Sequence, residues 1–247
     1  GDLVGDDLSL FGRYNQVIKQ IGLPWWNLPG NHDLDFSAKS ASEARAPWRR
    51  VYGPTTYAFE HGPATFVIRD NIHWIGRTTG GGLYSGQIGA ENLQFIKSLL
   101  ETTAKDRLIV FCMHIPLVSA NDPNDPGSMT SDRDELLALI GDRPCVSFSG
   151  HMHTTEHHYL PLPNGGVHHH HVLTALSGSW WSGPIDAMGQ PVAQSCDGSP
   201  NGWHMLSIGG ANYSTRFISS REPAQLRIML AGDGDLQSDR QGRRNET

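Results

Sequence analysis

The sequence predicts an α/β domain, on three observations. Segments with helical and with strand periodicity alternate along the chain. The side chains able to hold metal ions fall just past short apolar runs rather than inside them, where layered α/β folds place their ligands. And 247 residues with 38% hydrophobic content are enough for one domain with a full core.

The elements follow in order. Leu8, Phe11, Tyr14, Val17, Ile18 and Ile21 recur at helical spacing, behind Asp6 and Asp7, either of which can cap the first turn. Leu23 to Leu28 reads as a short apolar strand ended by Pro29-Gly30. Tyr57 to Phe59, Thr65 to Arg69 and Ile72 to Ile75 read as a meander, with turns at His61-Gly62-Pro63 and near Asp70-Asn71. Glu91 to Thr102 reads as a helix burying Leu93, Ile96, Leu99 and Leu100. Arg107 to Met113 reads as a buried strand, and Pro116 keeps Ile115 extended. Ser131 is placed to start a helix, with Asp134 as an acidic capping partner. Strands are expected over Pro144 to Ser149, Val172 to Leu176, Trp203 to Ile208, Tyr213 to Ile218 and Gln225 to Leu230. One domain over residues 1–230 is therefore expected, followed by a polar, disordered tail at 231–247.

Composition excludes some function classes. No run of 18 apolar residues occurs, so no transmembrane helix is expected. A net charge of -6 argues against a surface that coats nucleic acid. The three cysteines give no disulfide framework; Cys112 and Cys145 read as small core residues.

Chemistry concentrates in short motifs in one order: Gly1-Asp2, Gly30-Asn31-His32-Asp33, His114 and Gly150-His151-Met152-His153. The Asp2 carboxylate has two oxygens and can bridge two cations. Asn31 offers a neutral amide oxygen, and His114, His151 and His153 offer ring nitrogens. Such a mixed set suits manganese, iron or zinc better than calcium or magnesium. His32 follows a candidate ligand directly, so its ring is placed to protonate a leaving alkoxide, with Asp33 to orient it.

Taken together, these motifs resemble the calcineurin-like metallophosphoesterase superfamily. Val51-Tyr52-Gly53-Pro54 leading to Tyr57-Ala58-Phe59, Arg69-Asp70-Asn71 and the 197–202 run Asp-Gly-Ser-Pro-Asn-Gly resemble its exported bacterial branch. The resemblance covers about residues 1 to 230. It implies a four-layer sandwich of two mixed β-sheets flanked by helices. It also implies hydrolysis of a phosphorylated small molecule or phosphodiester by water activated between two divalent metals. Asp2 would bridge them; Asn31, His114 and His151 would complete one site, His153 would serve the other, and His32 with Asp33 would be the general acid. A periplasmic or extracellular location follows from the resemblance alone. The family begins with an Asp-x-His strand, and this sequence starts after it. The expectation is therefore of an N-terminally truncated chain lacking its first strand, binding as few as one of the two metals.

Alternatives stay open. The chain could be a metal-binding or interaction module without catalysis, or a nucleotidase or pyrophosphatase of the same fold. His168 to His171 reads either as an exposed loop or as rings reaching toward the phosphate or a metal, with His157 and His158 as bystanders. Trp180-Trp181 reads as packing under a loop or as a wall facing substrate. Arg49 and Arg50 read as solvated, or as phosphate contacts. No substrate-binding residue is assigned.

Overall fold

The computed structural model describes residues 1–78, 81–120 and 122–220. The strand expected at Gln225 to Leu230 and the tail expected from 231 lie outside them.

The chain opens with short 3-10 turns around helix α1 (Phe11–Ile18), and Asp7 accepts from the Ser9 N–H at the start. Helices α2 (Ala41–Ala44) and α3 (Ala46–Tyr52) follow, then strands β1 (Tyr57–His61) and β2 (Ala64–Arg69). A hairpin of β3 (Ile72–Thr78) and β4 (Gly81–Gly86) leads to α4 (Ala90–Thr102) and β5 (Leu108–Met113). Helix α5 (Arg133–Ile140) precedes β6 (Cys145–Ser149), β7 (Glu156–Pro161) and β8 (Val167–Val172). A hairpin of β9 (Gly202–Gly209) and β10 (Asn212–Ser219) ends the described chain.

Six strands form one mixed sheet in the order β1-β2-β5-β6-β8-β7, with β2, β5, β6 and β8 parallel. This is the expected α/β class. Among the described residues, the remaining strands make two two-stranded pairs, β3-β4 and β9-β10, rather than a second large sheet.

Strand β5 shows how sequence sets the layers. Successive side chains point to opposite faces. Ile109, Phe111 and Met113 pack with Ile96 and Leu100 of α4 and with Leu136, Leu137 and Ile140 of α5. Leu108 and Val110 pack on the other face with Val146 and Phe148, against Leu206, Ile208 and Tyr213 of the β9-β10 hairpin. A strand covered on both faces needs a continuous apolar run, and LIVFCM supplies one.

Four sequence expectations differ from the structure. Residues 23–28 form no strand; Leu23, Trp25 and Trp26 are exposed, and among the described residues no strand pairs with them. The meander breaks after β2, because β3 pairs with β4 instead. The cause is local: the Asp70 carboxylate turns back on the Ile72 N–H (3.0 Å) while Arg45 grips the same carboxylate. Helix α5 begins at Arg133 rather than Ser131. Its N-cap residue Asp132 aims its oxygens away, accepting from Ile88 N–H (2.7 Å) and Gly89 N–H (2.8 Å). The strand expected at Val172 to Leu176 lies earlier, over the histidine tract itself.

Candidate metal centre

The parallel register brings the motifs together. Because β2, β5 and β6 run the same way, Asp70-Asn71, His114 and the 150–153 loop all leave the same edge of the sheet. Gly150 N–H donates to the His114 carbonyl (3.0 Å), which joins two of these loops. Asn71 braces the first of them: its Oδ1 accepts from the N–H groups of His114 (3.2 Å) and Ile115 (3.1 Å), and its amide donates to the Ile115 carbonyl. Asn71 belonged to a recognised run, but nothing in the sequence assigned it this bracing role.

The Asp2 and Asn31 motifs reach the same place from the N-terminal segment. Residues Asn31–Asp33 form one 3-10 turn after Gly30. A side chain at Gly30 would collide with the Asp2 carboxylate and backbone, so the sequence needs glycine there. Asp2 Oδ1 accepts from the His32 N–H (3.0 Å), and Asp2 Oδ2 lies 3.1 Å from His114 Nε2. His114 Nε2 is also 2.9 Å from Asn31 Oδ1. The rings of His114 and His151 meet edge to face, 4.9 Å between centroids. Asp2, His114 and His151 each offer a donor atom, and these all lie within 4.8 Å of one another; among the described residues no other such group of three forms. With the amide oxygen of Asn31 beside them, this donor set fits a divalent transition metal.

Electrostatics agree with a ligand set in its deprotonated form. Burial drives the His114 imidazole below its ordinary range despite the neighbouring Asp2 carboxylate. Burial, with His114 next in weight, pushes His151 down to about 3. Burial alone would raise the Asp2 carboxyl, but His114, with a smaller share from His32, holds it well below the usual carboxylate range. Neutral rings and an ionised carboxylate are the forms that bind metals.

Three of these residues carry backbone strain. Asp2 (φ 55°), His151 (φ 71°) and His153 (φ 53°) all sit in the left-handed region, which non-glycine residues rarely adopt. Such outliers concentrate at functional sites, where surrounding contacts over-determine them.

The remaining expected residues fall differently. His153 is outside the close donor group; its Nδ1 is 2.5 Å from the Gly178 carbonyl. His32 lies at the site, but Asp33 does not orient its ring. Asp33 is fully buried, and its oxygens accept from the backbone N–H groups of Leu3 (2.9 Å), Val4 (3.2 Å) and Gly30 (2.8 Å). It fastens the Asp2 segment to the Asn31 turn. The 3-10 turn after Gly30 directs its side chain back to the backbone N–H groups. Burial raises its carboxyl to about 6, although the backbone donors pull the other way. The carboxylate beside the His32 ring is Asp6, 2.9 Å from Nδ1. Sequence reading assigned Asp6 to helix capping, a role that Asp7 alone fills.

Two aromatic residues stand at the site: Trp180, which the sequence offered as packing or as a wall facing substrate, and Tyr84, which it did not single out. Tyr84 meets His151 edge to face at 5.8 Å. Trp180 meets the rings of both His32 (4.9 Å) and His153 (5.2 Å). Arg49 and Arg50 are exposed. Arg49 lines a separate cavity of about 500 Å³ beside Arg45 and Asp70, to which none of the candidate ligands contributes.

The histidine tract is neither an exposed loop nor part of the metal centre. It is strand β8, and His168, His170 and His171 are buried. Alternation puts His168 and His170 on the helix-covered face. There Ser147 Oγ bonds His168 Nε2 (2.8 Å) and His170 Nδ1 (2.7 Å), while His170 Nε2 accepts the Leu117 N–H (3.1 Å). His169 and His171 face the β9-β10 hairpin. His169 Nδ1 is 2.6 Å from the Tyr213 hydroxyl, and His171 stacks on His157 at 3.9 Å and meets His204 at 4.9 Å. Burial, reinforced by neighbouring imidazoles, pushes His168 to about 4 and His171 to about 3. No described helix is long and apolar enough to cross a membrane.

Residues 170–246 match the family described as the C terminal of calcineurin-like phosphoesterase. No curated protein matches the chain.

Proposed function

We propose, starting from a chain whose assignment to the calcineurin-like phosphoesterase superfamily rests on residues 170–246, that it hydrolyses phosphate esters at a metal-dependent site. The observation that carries this reading is the convergence of Asp2, His114 and His151 within 4.8 Å, with His32 tied to the same carboxylate. Asp2, Asn31, His114 and His151 would hold one divalent ion. Asp2 and His153 would serve a second, since the His153 Nδ1 contact with Gly178 leaves its Nε2 as the donor atom. Manganese, iron or zinc held there supplies Lewis acidity toward a phosphoryl oxygen and a water nucleophile at neutral pH.

The protein's own groups do the rest. Asp2 binds the His32 N–H with one oxygen and faces His114 with the other, so the proton donor and the ligand set share one anchor. Asp6 occupies His32 Nδ1, which leaves Nε2 to give its proton to the departing alkoxide. Substrate is thus a phosphate ester whose leaving oxygen lies next to His32.

The test is metal content per chain, with hydrolysis of bis(p-nitrophenyl) phosphate measured with and without manganese, in the parent and in His114→Ala. Manganese-dependent turnover that disappears in the variant supports the reading. Bound metal without turnover of any mono- or diester would leave a metal-binding module instead.

A further inference from the structure

The 177–196 segment lies within the C-terminal family region and is built to hold one side chain beside the metal centre. Its backbone is closed on itself: Trp181 N–H donates to the Ser177 carbonyl (2.9 Å), and Ser179 N–H donates to the Gln194 carbonyl (3.1 Å). A second Ser179 bond, from its hydroxyl, reaches the same carbonyl at 2.7 Å. Gly178 (φ 53°) passes so close to the Ala193 carbonyl that no side chain fits there. The segment is also tied to the site: the Gly178 carbonyl contacts the His153 ring, and Cys196 N–H donates to the His153 carbonyl (2.9 Å).

Trp180 stands at the tip. Its backbone is left-handed (φ 61°), a conformation costly for a bulky residue. The ring lies edge to face with His32 and tilted against His153, and 49% of the residue remains exposed. The indole is strained, half open, and in ring contact with two of the residues assigned to the chemistry.

We infer that Trp180 is a specificity-determining residue whose open face binds the alcohol portion of the substrate, so that the site prefers phosphate esters of aromatic or bulky apolar alcohols. This rests on the function proposed above. The physical reason is position. His32 must reach the leaving oxygen, and Trp180 meets His32 edge to face. The group attached to that oxygen is therefore delivered beside the indole. Flat apolar groups gain from offset or edge contact with an indole by about 0.5–1.5 kcal/mol, a roughly 2- to 12-fold preference.

The experiment separates this inference from hydrolysis itself. Binding of phenylphosphonate and methylphosphonate, neither of which can be hydrolysed, is measured by calorimetry in manganese. The parent, Trp180→Ala, Trp180→Phe and Trp181→Ala are compared. The parent should bind the phenyl compound more tightly. Trp180→Ala should lose roughly three- to tenfold of that preference, Trp180→Phe should retain part of it, and Trp181→Ala should keep it whole. No phenyl preference in the parent, failure to bind either compound, or an unchanged preference in Trp180→Ala overturns the inference. A phenyl preference lost in Trp180→Ala, in a protein that turns over no ester, would support the site's specificity while refuting the proposed hydrolysis. Turnover with equal preference in parent and variant would do the reverse.

Discussion

Replacing Asp33 by asparagine separates a structural role from a catalytic one. The carboxylate is fully buried and accepts three backbone N–H bonds, two at Oδ1 from Leu3 and Val4 and one at Oδ2 from Gly30. Asparagine can keep one oxygen where two are needed. If it stays against Leu3 and Val4, its NH2 faces the Gly30 N–H, donor against donor. The loss is one charge-assisted bond, at about 1.5–3 kcal/mol, plus a buried donor left unsatisfied, at about 1–3 kcal/mol. The neutral amide also escapes the burial cost that raises the carboxyl to about 6, so roughly 1–3 kcal/mol is expected in total. That energy holds the segment carrying Asp2 against the turn carrying Asn31. It should therefore appear as a lower urea midpoint, or as local release of the segment with manganese affinity weakened by up to about 100-fold. Asp6→Asn is the control: Asp6 is exposed, and its loss should change stability by less than about 1 kcal/mol. Both variants need only a denaturation curve and a manganese titration. An Asp33→Asn protein of parental stability and manganese affinity, but with slowed turnover, would refute this reasoning and return Asp33 to the role of orienting His32.

Other outcomes follow from the same geometry. His32→Ala should slow esters with poor alkoxide leaving groups far more than nitrophenyl esters, and equal losses in kcat would remove the general-acid role. Arg45→Met should cost about 3–5 kcal/mol by denaturation, because it leaves Asp70 charged and buried without its 2.5 Å partner; a neutral result would mean Asp70 finds another. Ile96→Ala, at the centre of the helix-covered core, should cost about 2–5 kcal/mol without changing metal content, since no ligand packs there. Stability should be flat above pH 6.5 and fall as pH drops toward 4. Burial holds His168 at about 4 and His171 at about 3, so the unfolded chain takes up their protons first. His168 alone accounts for ~3 kcal/mol across that range. Asp33, raised to about 6, contributes with the opposite sign but as a single group. A urea midpoint unchanged between pH 7 and 4.5 would contradict this account.

What the sequence reveals depends on how local its physics is. The continuous apolar run at 108–113 and the period-3.6 run at 90–102 set their elements because each buries its own pattern, and both are readable. Asp2, Asn31, His114 and His151 stand in motifs that the sequence shows in order, and the fold brings their side chains together, although only His114 and His151 stand past strand ends. Residues 23–28 misled because an apolar run is strand only if a partner strand exists beside it, and sequence does not report partners. Asp6 stands where Asp33 was expected for a similar reason. Which carboxylate meets the His32 ring is decided by a fold-back over 26 residues, not by adjacency. Trp180-Trp181 could be read either as packing or as a wall facing substrate; that Trp180 meets His32, nearly 150 residues away in sequence, is decided by the fold and not by local spacing. The histidine tract gives no strand signal because four imidazoles make an improbable strand; Ser147 bonds His168 and His170, the Tyr213 hydroxyl meets His169, and the buried His171 ring stacks on His157 with neither nitrogen hydrogen-bonded.

Such a tract resembles a purification tag, yet its burial gives it the opposite behaviour. With three of its four rings at 1% exposure or less, the native untagged protein should pass through a nickel resin that captures the same chain in urea. The tract thus acts as a built-in reporter of folding: retention on immobilised nickel measures how far strand β8 has left the sheet.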